Sequence, residues 1–372
     1  MDKLVILQSS VPPEEIAQVE NEMRTSDQIS SAFNADLFDA YSVRDYLYQK
    51  HIHGNDIHAI LNRNLVSSLT GAARDGVVST DDGRQAIILL DFLRLSEVQL
   101  EPGISLAEYA DTHHSAEPVD ELDLLRKIDD IPNDNLHDLA LGRTDKVLIA
   151  DSAYHGLTRL RSEIGKAEDI HQWNLHYGYT LKMYLLHHKK LSKLDFVKEY
   201  QLWMWKDYAF GGVAFSFAAT FASEKFGRMI KGINSLNRDK LINGLRNAAW
   251  DMTIVHYWCD CVVHRQDGDP FCVFCSADRG LKSVARQIVS SGTRTFADMC
   301  TSLLGDVLSR KELAEVVALC AALKKDSENP DRAVHAYRQK QDFFDPYIRD
   351  LEAEVLSHVD KRAQQTDESN FP

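Results

Sequence analysis

Carboxylates and amides stand at four places where this chain would gather ligands. The run Phe271-Cys272-Val273-Phe274-Cys275 is apolar and bounded by Pro270 and Ser276, the pattern of a short buried strand. Ser276 is placed to cap a helix carrying Leu281, Val284 and Ile288, since a hydroxyl can accept from the free amides of a first turn. Asp278 then falls where a strand gives way to a helix, the edge on which open α/β sheets carry ligands and metals. A lone acid there serves a helix N-terminus equally well through the macrodipole, so a functional reading needs partners. The partners on offer are Asn62 at the end of Ile57-His58-Ala59-Ile60-Leu61, Glu108 after the Glu101-Pro102-Gly103 turn, and Asp251 inside a long helical stretch. Carboxylates from separate elements that converge can hold Mg²⁺ or Mn²⁺, which prefer oxygen ligands. A pair of such ions generates hydroxide and steadies the leaving oxygen in phosphodiester cleavage.

In order and frame these residues resemble the PIN-like nuclease family. Ala59-Ile60-Leu61-Asn62-Arg63-Asn64 matches the segment in which an apolar strand runs into the first acid and an Asn follows two residues on. The acid is here the amide Asn62. Glu108 matches the acid on an early helix, Asp251 the acid on a helix before a late strand, and Ser276-Ala277-Asp278 the motif after that strand. The resemblance covers residues 55–114 and 245–292. It implies an α/β/α sandwich with a mostly parallel sheet, interrupted by a large all-helical insertion. It also implies a metal-dependent endonuclease that cleaves RNA, less readily DNA, in a toxin-like or antiviral defence role. Glu108, Asp251 and Asp278 would hold the Mg²⁺ or Mn²⁺, with Asn62 as the fourth catalytic position and Asn64 orienting its neighbours by hydrogen bonding. An amide brings no charge, however, and a hard divalent cation loses affinity there. A second reading therefore stands beside the first: a non-catalytic helical interaction or scaffold protein with a degraded nuclease core.

Cations adjoin the acids in sequence. Arg63, Arg279 and Lys282, together with Ser276, are candidates for holding a phosphate. Lys189 and Lys190 lie in the densest basic run of the chain, His187-His188-Lys189-Lys190, and would contact an RNA backbone. The plainer reading of each is a solvated cation on a helix. His256, Cys259, Cys261, His264, Cys272 and Cys275 form a Cys/His cluster, and Cys272-x-x-Cys275 has the spacing of a zinc knuckle. Against zinc, strand residues three apart point to opposite faces. No P-loop, dinucleotide-binding glycine pattern or nucleophile elbow is present.

The elements that must position these groups follow from 372 residues, 44% hydrophobic and 26% charged, with a net charge of −14. That charge argues against broad, non-specific nucleic-acid binding, which needs many cations. The longest apolar run, Phe210 to Ala222, is shorter than the roughly 20 residues that span a bilayer and reads as a buried helix. With a short N-terminal apolar run and six clustered cysteines, the expectation is a cytoplasmic protein with reduced thiols and no membrane partner. Residues 1–54 read as a strand (3–8) followed by helices, one of them over Asp36 to His51, and 55–114 as the first part of the core. Residues 115–244 read as the helical insertion, whose aromatic residues pack between helices and which would bind a protein partner or a second copy. Residues 245–305 complete the core, 306–361 are C-terminal helices, and 362–372 a disordered polar tail.

Overall fold

A computed structural model describes residues 11–33, 36–112, 118–149, 171–226, 229–290, 296–327 and 341–369. The strand expected at 3–8 lies outside them. Fifteen helices and four strands are found among the described residues. Two compact units divide the chain, Met1–Ala167 with Tyr257–Lys282, and Glu168–His256 with Ser283–Pro372.

The first unit is built on a four-stranded sheet of β1 (Ile29–Ser31), β2 (Ile57–Leu61), β3 (Gln99–Glu101) and β4 (Phe271–Cys275), in the order β1-β4-β2-β3. β2 pairs parallel with both β3 and β4, and β1 runs antiparallel to β4. The sheet is thus mostly parallel, as expected, and central β4 is supplied from far along the chain. β2 and β4 read as near-continuous apolar runs because both faces are covered. On one face Ile57, Ala59, Leu61, Val273 and Cys275 share a core with α1 (Pro13–Ser26), α2 (Val43–His53), α3 (Arg63–Asp75), α4 (Asp81–Leu95) and part of α7 (Asn133–Ala140). On the other, Phe274 meets Trp258, which lies near the end of the helix that precedes β4. α5 (Gly103–Thr112) follows β3, and α6 (Pro118–Asp129) packs on α3 and α5.

Three expectations need correcting here. The helix drawn over Asp36 to His51 begins only at Val43, where Ser42 caps it by accepting from the Asp45 amide. Leu37, inside the expected helix, precedes this cap and is 80% exposed. The boundary at residue 115 also fails, because α6 and α7 bury Leu125, Ile128, Leu136 and Leu139 in the core of the first unit.

The second unit is helical. It holds α8 (His171–His188), α9 (Lys193–Lys206), α10 (Gly212–Ser223), most of α11 (Arg238–Val263) and of α12 (Arg279–Ser290), then α13 (Phe296–Leu304), α14 (Arg310–Ser327) and α15 (Gln341–Ser369). The apolar run from Phe210 becomes α10, buried along nearly its whole length. Aromatic residues fill this core as expected. Trp203 donates to the Tyr347 hydroxyl at 2.9 Å, and Tyr208 donates to the Leu175 carbonyl at 3.0 Å. The polar tail is also corrected: α15 continues as helix to Ser369. No described helix is long and apolar enough to cross a membrane.

Candidate functional site at the carboxyl ends of β2 and β4

The two motifs found far apart in sequence meet on one edge of the sheet. Leu61 and Cys275 stand side by side in the parallel register, so Asn62 and Ser276 leave adjacent strands at the same level. The Asn62 amide donates to the Cys275 carbonyl at 2.9 Å. Its side-chain oxygen accepts from the Asn64 amide at 3.1 Å and caps α3. Asn62 is 2% exposed, and its side-chain nitrogen is buried without a hydrogen-bond partner. Asn64 itself is exposed and takes part through its backbone. Ser105, fully buried on α5, donates to the Leu61 carbonyl at 2.5 Å and ties that helix to the end of β2.

On β4 the Ser276 amide donates to the Gln28 carbonyl at 2.9 Å, and the Ser276 hydroxyl accepts from the Asp278 amide at 3.0 Å. Asp278 accepts from the Leu281 amide at 2.8 Å. Asp278, not Ser276, is therefore the cap of α12, and Ser276 shapes the turn before it. Asp278 and Arg279 are exposed.

Two of the cations assigned to phosphate, Arg63 and Lys282, are engaged within the fold. Arg63 pairs with Glu121 at 2.9 Å and lies 4.5 Å over the Tyr109 ring. Glu121, 2% exposed, also accepts from Thr70 at 2.7 Å and from Arg74 at 3.4 Å. Lys282 is buried: its ammonium donates to the Asp27 carbonyl and lies 3.6 Å from the Asp27 carboxylate. Burial pushes the neighbouring Cys275 thiol up, and the Lys282 charge only partly offsets this. Lys189, in the second unit, pairs with Glu199 at 2.9 Å. Lys190 follows α8 in the left-handed backbone region, with φ 53.

The carboxylates are placed as follows. Glu108 is half-buried on α5 of the first unit, and Asp251 is half-buried on α11 in the second unit. Among the described residues, no group of three or more His, Cys, Asp or Glu side chains is placed to hold a metal ion. Cys272 and Cys275 turn to opposite faces of β4, as strand geometry requires.

Sequence reasoning did not single out Ser105, Asp27, Gln28 or Glu121. Each acts through contacts with residues remote in the chain, and none belongs to a recognisable motif. Comparison with known proteins gives no match: no family model, no curated protein and no solved structure matches the chain.

Proposed function

We propose that the first unit is a PIN-like core kept as a binding scaffold, and that the chain is a non-catalytic interaction protein. The observation that supports this reading is how the charged groups around the β2–β4 edge are engaged. Asn62 is a neutral helix cap, Arg63 and Lys282 are held by Glu121 and Asp27, and the described acids do not gather around a cation position. Phosphodiester binding needs cations facing the backbone, and two of the three candidate cations beside this edge, Arg63 and Lys282, are already paired within the fold. A protein partner fits the net charge of −14 better than RNA does.

A second reading is favoured by one specific observation, the placement of Asn62 and the Ser276-Ala277-Asp278 motif on adjacent parallel strands. It is the Mg²⁺- or Mn²⁺-dependent endoribonuclease, with Glu108, Asp251 and Asp278 as its acids. Incubating the full chain with single-stranded RNA and Mn²⁺ separates the two. The scaffold reading expects intact RNA from wild type, from Asp278→Asn and from Asn62→Asp. Cleavage by the wild type that disappears in both Asp278→Asn and Asp251→Asn would replace it with the nuclease reading.

A further inference from the structure

The end of α11 lies against β4 in a definite register. Trp258 packs on Phe274 with ring centroids 5.9 Å apart, and its indole nitrogen donates to the Cys272 carbonyl at 2.9 Å. Beyond the helix end, the Arg265 guanidinium sits 3.6 Å over the Phe271 ring. Helix and strand therefore run antiparallel here, with 258 above 274 and 265 above 271. Cys261 stands about one turn past Trp258. Cys272 stands two residues before Phe274, on the same face of the strand. The register thus sets Cys261 and Cys272 opposite one another.

The other cysteines differ in both access and environment. Cys261 is half-exposed, while Cys259, Cys272, Cys275, Cys300 and Cys320 are buried. The polar neighbours Cys272 and Tyr257 hold the Cys261 thiol below the usual range against burial and the charges of Asp260 and Glu101. The charge of Arg265 also reaches this pair, at Cys272. Burial pushes the Cys259 and Cys300 thiols up to about 12 and the Cys320 thiol up to about 11. A thiolate is the nucleophile in thiol oxidation, so reactivity concentrates where it is accessible and stabilised.

The geometry points to Cys261 and Cys272 as an oxidisable dithiol, converted by hydrogen peroxide into a disulfide that staples the last turn of α11 to β4. Cys261 as thiolate attacks one peroxide oxygen. The O–O bond breaks, leaving a sulfenic acid on Cys261 and, with one proton, water. The Cys272 sulfur then attacks the Cys261 sulfur, the S–O bond breaks, and the departing hydroxide takes the Cys272 proton as a second water. Two thiols lose two electrons in total, and one peroxide is reduced. This site is independent of the scaffold reading and involves no residue of the β2–β4 edge.

The test is thiol mapping on the full chain. Reduced protein is treated with hydrogen peroxide, the remaining thiols are alkylated under denaturing conditions, and peptides are read by mass spectrometry. The expected result is loss of two of the six thiols, recovery of a Cys261–Cys272 linked peptide, and reversal by dithiothreitol. Without peroxide, Cys261 should alkylate about tenfold faster than the buried cysteines in the native protein. In Cys272→Ser the oxidation should stop at a Cys261 sulfenic acid that dimedone traps. If Cys272→Ser does not fold, the wild-type peptide map still decides. All six thiols surviving peroxide, or a disulfide joining any other pair, would overturn the assignment.

Discussion

His137 shows how a single buried side chain can set a pH response. Its Nδ1 lies 2.9 Å from Asp91 and its Nε2 lies 2.9 Å from Glu15. A carboxylate only accepts, so an imidazolium, with both ring nitrogens as donors, satisfies both contacts. The hydrogen bond to Asp91, joined by that to Glu15, raises its pKa above the ordinary histidine value against burial. A raised folded-state pKa contributes stability that is fully present below about pH 6.5 and is lost as pH climbs through the folded value. Urea midpoints of the wild type should therefore decline as the pH is raised from about 6 to about 9. His137→Gln should cost about 3 kcal/mol at low pH, because Asp91 is left buried without its cation, and should show a flatter pH profile. An equal slope in both proteins would remove His137 as the cause. Glu121 makes a parallel case. It is buried beneath Arg63, Thr70 and Arg74, so Glu121→Leu should cost about 3 kcal/mol by stranding Arg63, as read from denaturant midpoints.

At the scale of elements, close approach decides which residues are tolerated. Gly178 lies on α8 where an added Cβ would collide with the hydroxyl end of the buried Tyr208 ring. Tyr208 has little freedom to retreat, since its hydroxyl donates to the Leu175 carbonyl and its ring stacks on Trp203 at 4.6 Å. Gly178→Ala should therefore destabilise the helical unit by about 1–3 kcal/mol through overpacking, although alanine has the higher helix propensity. A thermal midpoint at or above that of the wild type would mean that α8 shifts freely. Long apolar elements such as β2, β4, α10 and α11 were legible because their own residue patterns demanded burial. The start of α2 was not, since residues 36–42 carry apolar side chains without a cap before Ser42. β1, only Ile29–Ser31, is too short to leave a period and exists because β4 offers it an edge.

For the molecule as a whole, chain order matters as much as composition. β4 sits between β1 and β2 in the sheet, yet it follows about half of the helical unit in sequence. A fragment ending at residue 250 would retain β1, β2 and β3 but lack the strand that joins β1 to β2. Such a fragment should show no cooperative transition of the first unit, because unpaired strand edges and an uncovered sheet face cannot offset the ordering entropy. Adding residues 257–282 as a separate peptide should restore the transition if docking of β4 is what completes the core. A cooperative melt of the fragment alone, followed by circular dichroism, would show that the first unit does not depend on β4.

The sequence alone determined the apolar runs that become β2, β4, α10 and α11 and the strand-to-helix junction after Cys275, because each depends on residues close to one another in the chain. Only the tertiary structure decided which charges are engaged. Arg63 meets Glu121 and Lys282 meets Asp27 across long stretches of chain, and no local pattern records such a pairing. It also decided that Cys261 faces Cys272 while Cys275 turns away, since the register of a helix on a strand is set by packing, not by the spacing of cysteines.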